Sequence, residues 1–165
     1  MAEQRTVNVF QTVAVEKQSP FDMGKLADKF RHRNTGWTIP EAFLGLMFSA
    51  AMADGNFDPN ERDTILAIAK RSRALSSLAP QDLAAANEAV NERLANRPMA
   101  LEECCQTLPA DMCLPVFAHC VDIILSDGQL VQPEAQFLDK LVPLLDIGQE
   151  NARRVMEVLL LKAQY

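Results

Sequence analysis

Histidine is scarce in this 165-residue chain, with two copies, and aromatic residues fill only 6% of positions. The four cysteines, Cys104, Cys105, Cys113 and Cys120, form no C-x-x-C pair, which disfavours a zinc ribbon or a thioredoxin-like site. No G-x-S-x-G elbow, P-loop or G-x-G-x-x-G turn is present, so no catalytic signature points to an enzyme. The longest apolar run, Ala42 to Ala53 with Gly45 and Ser49 inside it, is too short for a bilayer span of roughly 20 residues. The first residues lack the basic-then-apolar pattern of a secretory leader, so a cytoplasmic setting is expected. Positive charge is also in deficit, with 16 Lys and Arg against 22 Asp and Glu, a formal net charge of −6. Nucleic acid is therefore not an expected partner, because phosphate binding draws on Lys and Arg clusters.

What is present divides unevenly. Residues 1–37 hold six basic and four acidic side chains (+2), and residues 38–165 hold ten and eighteen (−8). The break falls at Asn34-Thr35-Gly36-Trp37, a loop-like stretch. We read 1–37 as an arm and 38–165 as the main domain. In the arm, Val7, Val9, Val13 and Val15 alternate like a strand, and Phe21 to Arg33 reads as a short basic helix. The main domain has helical periodicity and punctuation throughout. Thr38…Glu41 is a capping box opening a helix through Met52. Asp58-Pro59-Asn60-Glu61 opens a second, running to about Ala74, and Pro80 a third to about Ala95. Ala100 to Thr107 is a short helix. Another leads into Leu125, with Pro115 in its first turn or kinking it. One more runs from Gln132 to near Pro143. The last, Asn151 to Ala163, carries Val155, Val158, Leu159 and Leu161. The expected fold is an all-α bundle of about seven or eight helices.

Two segments repeat at a fixed offset. Ala53-Asp54-Gly55-Asn56-Phe57-Asp58-Pro59-Asn60-Glu61 matches Ser126-Asp127-Gly128-Gln129-Leu130-Val131-Gln132-Pro133-Glu134 in Asp, Gly, a bulky apolar residue and Glu. Each lies between two expected helices, so the fold should contain two pseudo-symmetric helix–turn–helix halves. Turn construction explains every position: Gly55 and Gly128 permit positive φ, and Phe57 and Leu130 would pin the turn into the core. Asp54 and Asp127 would accept turn amides, and Glu61 and Glu134 suit the positive end of a helix. A sharper reading compares the turn with a calcium loop, where Asp, Gly, an apolar residue and Glu occupy positions 5, 6, 8 and 12. Positions 1 and 3 here would be Ala50 and Met52, or Ile123 and Leu125, which offer no side-chain oxygen. Neither copy alone satisfies calcium, which takes six to eight oxygens. A Ca²⁺ or Mg²⁺ site would need both turns to pool Asp54, Glu61, Asp127 and Glu134, with Asp58 a further carboxylate.

The two Asp-Gly…Glu motifs, with Phe137-Leu138…Leu141…Leu145 after the second, resemble the TerB family of tellurite-resistance proteins. They are similar also to the TerB-like domain of certain membrane-anchored J-domain co-chaperones. The resemblance covers roughly residues 38–165. It implies an all-α fold of two related halves, a bacterial cytoplasmic setting, a role in resistance to tellurite and other stresses, and metal binding by acidic motif residues. Carried onto this chain, those are Asp54, Glu61, Asp127 and Glu134. The expected function is thus a non-enzymatic stress-response interaction module with protein partners. A main role in divalent-cation binding is the alternative, and an enzyme of unknown chemistry a distant third. A homodimer and a peripheral membrane contact stay open. His119 adjoins Cys120, but neighbours on a helix point about 100° apart, so a core histidine is expected rather than a catalytic pair. The cysteines read as reduced core thiols, and Lys70-Arg71-Ser72-Arg73 as a cationic helix end.

Overall fold

The computed structural model describes residues 35–76 and 78–165. The strand and basic helix expected in the arm lie outside the described residues. Within them the chain forms seven α-helices, one 3-10 turn and no strand: α1 (Ile39–Ala51), α2 (Pro59–Arg71), α3 (Pro80–Asn96), α4 (Ala100–Thr107), α5 (Ala110–Ile124), the 3-10 turn Leu125–Asp127, α6 (Gln132–Leu144) and α7 (Gln149–Ala163). None is long and apolar enough to cross a membrane.

Helix α1 is the hub. Thr38 and Glu41 close the expected box, the Thr38 N–H donating to Glu41 Oε2 at 2.8 Å and the Glu41 N–H to Thr38 Oγ1 at 3.4 Å. The helix then buries residues on nearly every side, including Phe43, Leu44, Leu46, Met47 and Ala50. An amphipathic surface helix buries one stripe; one that is apolar all round must be enclosed. Accordingly α1 packs against α3, α4 and α5, while α7, α2 and α6 cover the outer faces of α5. Trp37, placed by the sequence reading at the end of the arm, is buried and belongs to this core. Its Nε1–H donates to Glu103 Oε2 at 2.7 Å and its ring lies 4.9 Å from the Arg93 guanidinium carbon. Thr35 packs here as well, its Oγ1 2.6 Å from Thr107 Oγ1.

Several local expectations need correction. Helix α2 stops at Arg71, not Ala74, because Ser72 turns extended and its hydroxyl accepts the Ala74 N–H at 3.2 Å. Pro115 lies inside α5, beyond the first turn. On α7 the inward face is Ala152, Val155, Met156 and Leu159; Val158 and Leu161 face outward. Phe57 and Leu130 do not pin the turns into the core: they are 43% and 38% exposed. Phe57 instead meets Phe48 edge-on at 6.3 Å on the surface. All four cysteines are buried, and none forms a disulfide among the described residues. Burial pushes the Cys105 thiol up to about 12, and the Cys104 and Cys120 thiols are pushed up for the same reason.

Candidate functional site

The duplicated turns have the same local build. Gly55 and Gly128 both sit in the left-handed region, at φ +85° and +80°. In each, the preceding Asp accepts the amide two residues on: Asn56 N–H to Asp54 Oδ1 at 2.8 Å, and Gln129 N–H to Asp127 Oδ1 at 2.9 Å. In each, the glutamate reaches back from the third helical position to the N-cap amide. Asp58 N–H donates to Glu61 Oε2 at 2.8 Å, and Val131 N–H to Glu134 Oε2 at 2.9 Å. The caps differ in one respect. Asp58 returns the favour, accepting the Asn60 and Glu61 amides at 2.6 and 3.0 Å, whereas Val131 has no acceptor to offer. The second turn therefore holds half of a capping box.

Glu61 and Glu134 are the buried members, each 6% exposed, while Asp54 and Asp127 are exposed. Each glutamate spends Oε2 on its own cap and leaves Oε1 without a hydrogen-bond partner among the described residues. Both carboxyls are held above the usual carboxylate range. For Glu61 burial is the leading cause, opposed by the Asp58 amide and reinforced by the charges of Asp58, Asp54 and Glu134. For Glu134 burial again leads, opposed by the Val131 amide and reinforced by Asp127, Asp54 and Asp58. The lesser reinforcing charges include carboxylates of the other turn.

Shared field is not shared coordination. Among the described residues no three His, Cys, Asp or Glu side chains are gathered in an arrangement that would hold a metal ion. Asp54 and Asp127 are turned onto their own turn amides. Beside the second turn, Ser126 Oγ is buried without a hydrogen-bond partner among the described residues, next to a cleft lined by Thr64, Asp122, Asp127, Gly128 and Lys162. The sequence signal for it was that the second copy has Ser126 where the first has Ala53.

Among the described residues the domain is all-helical and carries two Asp-Gly turns of this build, each followed by a buried glutamate seven residues after its aspartate. The model of the family described as tellurite resistance protein TerB matches residues 40–157, and the chain belongs to that family. No curated protein and no solved structure gave a significant match.

Proposed function

We propose that this TerB-family domain is a non-catalytic module of the tellurite-resistance and stress-response type. It is built on two pseudo-symmetric halves, works through protein partners, and answers to a divalent cation at its paired acidic turns. The cation would be held by Asp54, Glu61, Asp127 and Glu134. One observation carries this reading: at the same place in each turn stands a buried glutamate with one carboxylate oxygen unspent among the described residues, its carboxyl pKa raised by burial first and then by neighbouring carboxylates. Hard carboxylate oxygens suit Ca²⁺ and Mg²⁺. Asp54 and Asp127 are exposed, so rotating them off their turn amides costs only those local bonds.

Calorimetry with Ca²⁺, Mg²⁺ and Mn²⁺ tests the reading. Binding is expected in the intact chain and lost in the Asp54→Ala, Asp127→Ala double variant. No heat at millimolar metal, or equal binding by the double variant, sinks it.

A further inference from the structure

Away from the acidic turns, a cleft of about 580 Å³ opens between the end of α2, the turn after it, α1 and α5. That volume is in the range of small-molecule sites, roughly 300–1,000 Å³. Its floor is apolar, made by Phe43, Ile68 and Val116, all buried, with half-buried Met112 beside them. His119 stands in the wall, its ring edge-on to Phe43 at 5.6 Å. Burial holds that imidazole below its usual range, against the pull of Asp122, so it presents a neutral polar edge. The rim carries Arg71 and Arg73.

The rim is out of character for this domain. Ten basic side chains fall in residues 35–165, against eighteen acidic ones. Seven of the ten are ion-paired: Arg62, Arg93, Arg97, Lys140, Arg153, Arg154 and Lys162. Lys70, Arg71 and Arg73 have no acidic partner among the described residues, and they lie together at one end of α2. The cleft's one carboxylate, Asp122, is taken by Lys162 at 2.6 Å. The α2 dipole accounts for cations in its last turn, Lys70 and Arg71. It does not account for Arg73, beyond the helix end, nor for an apolar cleft opening between the two guanidiniums and a histidine.

We propose that this cleft binds a small amphiphilic organic anion, its aromatic or aliphatic body on Phe43, Ile68 and Val116 and its acidic group on Arg71 and Arg73. Guanidinium forks suit carboxylate, sulfonate and phosphate oxygens alike, in paired charge-assisted hydrogen bonds. The apolar floor selects against inorganic anions, and the unpaired rim selects against neutral analogues. The site is independent of the acidic turns and stands whether or not they take a metal.

The test is an NMR titration of the full chain with 1-naphthoate, following the His119 ring and the Met112 methyl. The expected result is saturable shifts of both signals. The Arg71→Gln, Arg73→Gln double variant should weaken binding at least about tenfold. Both positions are exposed, so the fold should survive, and far-UV circular dichroism checks that it does. The paired surface variant Arg153→Gln should leave affinity unchanged. Any of three results overturns the proposal: equal affinity in the double variant, equal affinity for neutral 1-naphthalenemethanol or inorganic phosphate, or shifts confined to Met52 and Phe57 in the apolar groove between α1, α2 and α3.

Discussion

Replacing Glu134 by Gln and by Ala separates two roles that the wild-type side chain combines. The carboxylate accepts the Val131 N–H, and it carries a charge into a buried, already negative neighbourhood. Val131 offers no side-chain acceptor, so Glu134 is the side chain that caps this end of α6. Losing a cap of this kind costs about 1 kcal/mol. The charge itself has opposing effects. It gains from the helix dipole, by about 0.3–1 kcal/mol at most exposed sites, and loses to burial and to Asp127, Asp54 and Asp58. A pKa raised from 4.5 gives the sign of the sum: the ionised form is the disfavoured one in the fold. Glu134→Gln keeps an acceptor oxygen and drops the charge, so at pH 7.5 it should match or exceed the wild type. Glu134→Ala should fall below the Gln variant by about 1 kcal/mol. Urea denaturation followed by circular dichroism measures both. The pH dependence is fixed as well. The native state binds this proton more tightly than the unfolded chain, so stability from Glu134 falls as pH rises above 4.5 through the raised value. Any advantage of the Gln variant over wild type should therefore shrink on acidification from pH 7.5 toward 4.5. A Gln variant as unstable as the Ala variant at pH 7.5 would show that the charge, not the acceptor, holds the turn.

Three further predictions concern packing and backbone. A Cβ on Gly45 would lie 2.8 Å from Cys104 Sγ, so Gly45→Ala should destabilise by about 1–3 kcal/mol. Adding Cys104→Ala should recover part of this, with a coupling of at least about 0.5 kcal/mol in a double-mutant cycle; strict additivity refutes the clash. Gly55→Ala and Gly128→Ala meet no atom within 4 Å, so each should show only the left-handed backbone cost, about 1–2 kcal/mol, and a neutral result at either would contradict the positive φ. The buried thiols should resist dithiobis-nitrobenzoate in the native protein and all four should react in denaturant; rapid labelling of any one under native conditions contradicts the burial.

The helical frame was readable because its punctuation is local. Thr38 with Glu41, and Asp58 with Pro59 and Glu61, state their helix starts within four residues, and the structure makes those hydrogen bonds. What depends on distant packing was not readable. Phe57 and Leu130 look like anchors by composition, yet whether a turn faces in or out is decided by the helices around it. Trp37 sits in a loop-like stretch, and nothing nearby in sequence announces Glu103 as its partner. The carboxylates of the two turns were legible as a repeat, but their mutual influence required the folded arrangement. The α1–α2–α5 cleft was invisible: its floor and rim come from three separated segments, and each residue alone had an ordinary explanation.

The enclosure of α1 has a consequence for how the chain is made. This helix leaves the ribosome first among those described, apolar on nearly every side. Its principal partners, α3, α4 and α5, end only at Ile124. At about 5–20 residues per second, roughly 4 to 15 seconds pass between release of Ala51 and release of Ile124. Through that interval the most water-averse segment of the domain gains α3, then α4, and lacks α5 until the end. The nascent chain is thus most exposed to aggregation, and most suited to holding by a chaperone, before α5 has emerged.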